Sequence, residues 1–155
     1  MELKELISAY EQLQKKYAMP KFSELNGAFE IEKIDRESEI LLRLIRKIMV
    51  EKIVNLLSLS EIFLSPNNIP RMYLTYLKTM TVEDKQQVTD IYDTLSKLVT
   101  ECMPLEIEYN EKKEAAMITK IYTTWNELKP AISNFFSRIN NPGIKAQGKE
   151  KSYFG

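Results

Sequence analysis

Hydrophobic residues recur every three or four positions along most of the chain, which is the spacing that places side chains on one face of an α-helix. The segments with this spacing are residues 2–17, 36–64, 70–80, 81–102 and 110–140. Proline residues separate several of these segments, because proline disfavours helical backbone at the residue before it. The pattern therefore predicts an all-α fold, a helical bundle of about five helices.

The second of these segments, residues 36–64, is long and is expected to be the central helix of the bundle. Asp35 is placed to cap its first turn. Leu41 and Leu44 share one face in its first half, whereas from Ile53 onward apolar residues lie nearly all around the helix. A helix that is apolar on every side is usually enclosed by neighbours. Its charged residues leave no apolar run of about 18 residues, so no membrane span is predicted.

Two short segments alternate apolar with acidic residues, a period of two that is typical of a strand. Residues 29–32 read FEIE, and residues 105–108 read LEIE. The first lies in residues 21–34, which are expected to form a long connection with one helical turn that Gly27 stops. Two interpretations stay open: the match is a coincidence, or 29–32 and 105–108 form a short extended pair.

Local signals set the expected ends of the later helices. Thr81 with Asp84 three residues on is a variant of the capping box, which predicts a helix that begins there. Pro104 is expected to end this helix near residue 102. Pro130 lies within the last helical segment, and a kink is predicted there because proline lacks the amide hydrogen and crowds the preceding turn.

Length and composition are those of an ordinary folded domain. The chain has 155 residues, of which 44% are hydrophobic and 28% charged. Residues 1–140 are predicted to form a single helical domain, and the polar residues 141–155 a flexible tail. Lys and Arg total 22, as do Asp and Glu, so no overall field attracts nucleic acid or an anionic membrane. With a single cysteine and no secretory signal pattern, a cytoplasmic location is expected.

The sequence lacks the residues of several common catalytic sites. It contains no histidine, which excludes Ser-His-Asp and Cys-His arrangements and the usual zinc sites. Cys102, the single cysteine, lies in the apolar register of its helix and is expected to be a small buried hydrophobe. The four glycines form no phosphate-binding loop. No catalytic, cofactor-binding or metal-binding residue is assigned, and a non-enzymatic protein is predicted.

Carboxylate pairs leave a metal-dependent enzyme as a third, low-ranked hypothesis. Asp90 with Asp93, and Glu111 with Glu114, are spaced so that each pair shares one side of a helix. Such pairs hold Mg²⁺ in some helical enzymes. The favoured interpretation is that both pairs are solvent-exposed, since Asp90 and Asp93 fall between apolar positions and Glu111 and Glu114 suit the start of a helix.

Four cations on the central helix are candidate phosphate contacts. They are Arg36, Arg43, Arg46 and Lys47. Cations in a stripe can contact successive phosphates, so a nucleic-acid-associated factor is the alternative function. The basic tail residues Lys145, Lys149 and Lys151 would assist it. The favoured interpretation is a solvated face with pairing between turns, for example of Glu39 with Arg43.

Lys52 differs from the other lysines of the central helix, because it falls within the apolar arc near Ile48 and Leu56. It is a candidate buried polar contact. Its stem either lies along the bundle with the amine in solvent, or the amine meets a carboxylate from another helix.

The segment 70–80 is rich in Met and Tyr, residue types that also line helix-accepting grooves. The candidate partner surface consists of Met72, Tyr73, Leu74, Tyr76, Phe136 and Ile139. Core packing is the favoured interpretation of the aromatic members. Leu74, however, lies outside the main apolar face of its helix, and the last helix is long enough to project beyond a small bundle. The leading functional hypothesis is a protein-interaction or assembly module whose partner is another protein or a second copy of the chain.

Overall fold

The computed structural model describes residues 2–34, 40–65, 67 and 69–140. This part of the chain contains six α-helices, one short 3-10 helix and no strand, so the prediction of an all-α bundle is confirmed. In chain order the elements are α1 (Leu3–Tyr17), α2 (Phe22–Phe29), the 3-10 helix (Ile31–Lys33), α3 (Leu41–Leu64), α4 (Arg71–Thr79), α5 (Val82–Ile107) and α6 (Glu111–Asn140).

Helices α3, α5 and α6 pack against one another and form the centre of the bundle. Ile45, Met49 and Ile53 of α3 are buried in the main hydrophobic core. The predicted start of the central helix at residue 36 is only partly testable, since residues 35–39 lie outside the described residues. Ile40 has φ −112°, which is not helical, so α3 begins at Leu41. The expected enclosure beyond Ile53 is incomplete, because Val54 is exposed.

The region between α1 and α3 is more helical than the sequence predicted. Gly27 does not stop a helical turn, because α2 continues through it to Phe29. Burial of Leu25 and Phe29 in the core outweighs the cost of about 1 kcal/mol that glycine imposes inside a helix. Glu30, with φ 55°, adopts the left-handed backbone that ends α2.

The proposed extended pair is wrong. Residues 29–32 span the end of α2 and the 3-10 helix, and residues 105–107 belong to the last turn of α5. Pro104 does not end α5 either. It lies exposed inside the helix, where its loss of one backbone hydrogen bond is offset because Cys102 and Leu105 on either side are buried.

Capping groups fix the starts of α5 and α6. Thr81 Oγ1 accepts from the backbone N–H of Asp84 at 3.1 Å, and the Asp84 carboxylate accepts from the N–H of Thr81 at 2.9 Å. This confirms the predicted capping box. Asn110 Oδ1 accepts from the N–H of Lys113 at 3.0 Å, which caps α6. Pro130 lies exposed within α6, and the predicted kink there stays a prediction.

The far end of the bundle contains a second, smaller hydrophobic cluster. Its buried members are Phe63, Val88, Phe135 and Ile139, from α3, α5 and α6. Side chains of α4 pack on them from outside. The sequence suggested that the end of α6 projects beyond the bundle. It does not, because Phe135 is buried in this cluster and Phe136 packs against it.

The single domain at residues 1–140 stays a prediction. The flexible tail predicted for residues 141–155 also stays one, because these residues lie outside the described ones. Within the described ranges, the longest helices carry too many charged and polar residues to cross a lipid bilayer.

Candidate functional site

The cations of α3 contact protein groups. Arg46 falls in the same register as Leu42, Met49 and Ile53, so its side chain points into the core, and it is only 1% exposed. Its Nε donates to Glu114 Oε2 at 2.5 Å and its Nη1 donates to Glu106 Oε1 at 2.7 Å. The assignment of Arg46 to a phosphate-binding stripe is therefore wrong, because it joins α3 to α5 and α6.

Arg43 and Lys47 flank this ion pair. Arg43 Nη2 donates to the backbone oxygen of Leu105 at 2.9 Å, and Arg43 Nε lies 3.6 Å from Glu114 Oε1. Lys47 is more exposed and lies 3.5 Å from Glu106 Oε2. Arg36 and the three tail lysines lie outside the described residues. Arg43 and Lys47, the other described cations of the predicted stripe, therefore each lie beside a carboxylate. This weakens the nucleic-acid hypothesis.

The ion pair between Arg46 and Glu106 shifts their pKa values in opposite directions. Burial tends to lower the pKa of Arg46, but hydrogen bonds with Glu114 and Glu106 outweigh burial and raise the pKa above its usual value. The hydrogen bond from Arg46 lowers the pKa of Glu106, against the weaker effect of burial. Arg46 and Glu106 are therefore both held in their charged forms at neutral pH.

Glu111 and Glu114, proposed as a pair of metal ligands, contact different partners. Glu114, which was expected to be exposed, is fully buried against Arg46 because the first turn of α6 packs on α3. Glu111 instead accepts from Tyr17 at 2.6 Å and from Lys16 at 2.9 Å, and these hydrogen bonds lower its pKa. Asp90 accepts from Gln86, and Asp93 is exposed as expected. Among the described residues, no three potential ligands converge on a metal position.

Lys52 contacts a backbone carbonyl instead of a carboxylate. Its Nζ donates to the oxygen of Ala28 at 2.6 Å, at the carboxyl end of α2 where the helix dipole is negative. The same amine lies 5.9 Å from the ring centre of Phe29 and 5.7 Å from that of Trp125. Hydrogen bonding and cation–π attraction therefore attach the end of α2 to α3 and α6.

Cys102 is buried, as the apolar register predicted. Burial raises the pKa of its thiol, with an opposing effect from Arg46. Because the thiolate is the reactive form of cysteine, these surroundings make Cys102 a packing residue of the core.

The candidate partner surface divides into an inner and an outer part. Ile139 is buried, and it was wrongly included in a surface because the end of α6 is covered by the second cluster. Phe136, Tyr73 and Tyr76 are half-buried against that cluster. Phe63 makes edge-to-face contacts with Tyr73 and Phe135, with ring centres 6.1 Å and 5.5 Å apart.

The outer part consists of Met72 and Leu74, which we call the α4 surface. Met72 is 69% exposed and Leu74 is 42% exposed, on the two flanks of α4. None of the nine residues of α4 is buried. Arg71 and Lys78, also on α4, are exposed. The α4 surface therefore consists of two separate apolar side chains, with Arg71 and Lys78 between them on the outer side of the helix.

Two ion pairs that contain a buried carboxylate escaped the sequence interpretation. The first is Arg46 with Glu114, and the helical register that placed Lys52 in the apolar arc also places Arg46 there. The second is Asp84 with Arg138, at 3.1 Å between Asp84 Oδ1 and Arg138 Nη2. Asp84 was identified only as a cap. No local signal pairs it with a residue so far along the chain.

The described residues form an all-α bundle with an ion pair between helices at each end, Arg46 with Glu114 and Asp84 with Arg138, and with exposed apolar side chains on α4. Comparisons with protein-family models, curated proteins and solved structures found no match to the chain.

Proposed function

We propose that the chain is a non-enzymatic protein-interaction or assembly module that uses the α4 surface. The observation that carries this proposal is the exposure of Met72, at 69%, on a helix with no buried residue. A methionine side chain adapts to different partner shapes, and exposed methionines are common at binding surfaces. The partner is another protein or a second copy of the chain.

The loose attachment of α4 supports this proposal. Its inner face, formed by Tyr73, Tyr76 and Leu77, packs only as partly buried residues around the second cluster. A helix attached in this way can adjust its position when a partner covers its outer side. The exposed cations Arg71 and Lys78 lie on the outer side of α4, between the flanks that carry Met72 and Leu74, and add polar contacts for a partner.

The experiment is to replace Met72 and Leu74 together by lysine. The oligomeric state is measured by light scattering, and specific partners are captured from source cells with the wild-type chain. The double variant is expected to lose the dimer or the partner without a loss of helicity. A monomeric wild-type chain that captures no specific partner would refute the proposal.

A matched control is Val54→Lys. Val54 is 40% exposed on α3, close to the exposure of Leu74, but it lies outside α4. It is expected to leave assembly and capture unchanged. Equal losses in both variants would show that any added surface charge disrupts the interaction, and this would count against the α4 surface.

A further inference from the structure

A shallow groove of about 300 Å³ runs between the last turns of α5 and the first turns of α6. Its floor is apolar and is formed by Pro104, Leu105, Ala116 and Met117. Ala116 contributes only a methyl group to this lining. A partner side chain could fill this space without any movement of the core.

Apolar surface continues beyond the groove on the outer side of α5. Ile107, three residues after Pro104, is 89% exposed, the highest value among the large hydrophobic residues described. Met103 is exposed on the same outer side. Exposed apolar residues next to an apolar groove are typical of an interaction surface.

The α6 side of the groove is positively charged. Lys113 and Lys120, on α6, line the groove, and their separation of seven residues places them about two turns apart on one side of the helix. Lys120 forms an ion pair with Glu101 on α5. Lys97, one turn before Glu101, also lowers the pKa of that carboxyl, after the larger effects of Lys120. The groove lining therefore carries two lysines and one glutamate.

We infer that this groove binds an acidic amphipathic helix from a partner protein. Helices α5 and α6 are joined by a short connection and run antiparallel, so the seam between them follows their axes. A third helix packs along such a seam with its apolar residues three and four positions apart in the groove. Carboxylates beside its apolar stripe then meet Lys113 and Lys120.

Charge selects the partner in this arrangement, and apolar contact supplies most of the affinity. Exposed ion pairs contribute only about 0.2–1 kcal/mol each. They favour an acidic partner, exclude a basic one and speed association. An apolar floor is poorly suited to a phosphate backbone, which binds through charge and hydrogen bonds.

The groove is separate from the α4 surface. Met117 in the groove and Phe136 near α4 are 19 residues apart on α6, which is about 28 Å along the helix. The inference therefore does not depend on the function proposed for α4, and each can fail without the other.

The test uses two synthetic helical peptides of about five turns (~18 residues) with the same leucine and alanine stripe. One carries glutamate at the remaining positions and the other carries lysine. Binding to the full chain is measured by fluorescence anisotropy. The acidic peptide is expected to bind at least about tenfold more tightly, and added salt should reduce this preference.

Three variants decide the outcome. Lys113→Glu with Lys120→Glu is expected to abolish or reverse the preference for the acidic peptide. Ala116→Trp, which fills the groove, should weaken binding at least about tenfold, the equivalent of 1.4 kcal/mol. Lys4→Glu with Lys85→Glu makes the same charge change at two exposed residues away from the groove and should leave the preference intact. Circular dichroism verifies that each variant is folded.

Equal binding of the two peptides, or no binding of either, would overturn the inference. So would a preference that persists in the Lys113→Glu, Lys120→Glu variant, or binding that is unaffected by Ala116→Trp. A single-stranded RNA that competes with the acidic peptide equally well in wild type and in Ala116→Trp would instead indicate phosphate recognition, and would also overturn it.

Discussion

Both ends of the bundle join an acidic residue in the first turn of one helix to an arginine of another, but they bury these pairs differently. At one end, Glu114 of α6 and Arg46 of α3 have side-chain exposures of 0% and 1%. At the other, Asp84 of α5 is 1% exposed, whereas Arg138 of α6 is 37% exposed. We call these the Glu114 end and the Asp84 end.

The same pair of charges has different consequences at the two ends. A charge that is fully buried depends on its partner, because water cannot replace that partner. At the Asp84 end water reaches Arg138, and Gln87 also accepts from Arg138 at 2.6 Å. The packing differs in the same direction, since the neighbouring α4 has no buried residue. The Glu114 end should therefore be the rigid end of the bundle.

The largest effect is expected from Glu114→Gln. This change leaves Arg46 buried without its main counter-charge and should reduce the free energy of unfolding by about 3–5 kcal/mol. Urea denaturation measures the loss. The double variant Arg46→Met, Glu114→Leu is the control and should recover most of the stability, since both buried charges are then absent. A loss below about 1 kcal/mol in Glu114→Gln would contradict this account of the Glu114 end.

The next largest effect is expected from Phe135→Ala at the Asp84 end. Removal of a buried phenylalanine side chain costs about 3 kcal/mol or somewhat more. Because Phe135 belongs to the cluster that supports α4, hydrogen exchange should increase first in α4. The amides of α2, which pack on the main core, should keep their protection. Equal loss of protection in α2 and α4 would mean that the two ends unfold together.

A smaller effect is expected from Asp84→Asn. This change removes the charge but keeps a side-chain oxygen that can accept from the N–H of Thr81. With Arg138 partly in water, the loss of stability should be about 1 kcal/mol. The comparison with Glu114→Gln under identical urea conditions is the measurement. If the two substitutions cost the same, burial of the arginine does not distinguish the ends.

The smallest effect concerns the acid stability of the Glu114 end. Arg46 holds the pKa of Glu106 below its usual value of 4.5 in the folded state. The resulting stabilisation is complete above that value and is lost as the pH falls through the lowered folded pKa. Glu106→Gln should therefore flatten the decline of stability below about pH 5, by less than about 1 kcal/mol because Glu106 is half-exposed.

Thermal unfolding measured from neutral pH to pH 3 tests this expectation. Glu108→Gln, two residues away and exposed, is the control and should retain the wild-type slope. An unchanged slope in Glu106→Gln would show that the contact with Arg46 does not contribute to acid stability.

Local patterns in the sequence predicted the helices well, and failed where distant residues decide the structure. The capping box at Thr81 was correct because its two hydrogen bonds involve residues three positions apart. The stops at Gly27 and Pro104 were wrong because burial of neighbouring residues outweighed the local cost. The expectation of exposure failed for Arg46 and Glu114, since their contact joins residues 68 positions apart.

The position of Cys102 makes the chain convenient for thiol labelling. Alkylating agents react with the thiolate, and the only cysteine of the chain is buried with a raised pKa. A new cysteine on the surface, for example at Ser58, should react first in the native protein. A fluorophore could then be attached at one site without mutating Cys102. The slower alkylation of Cys102 would measure the rate at which the core opens.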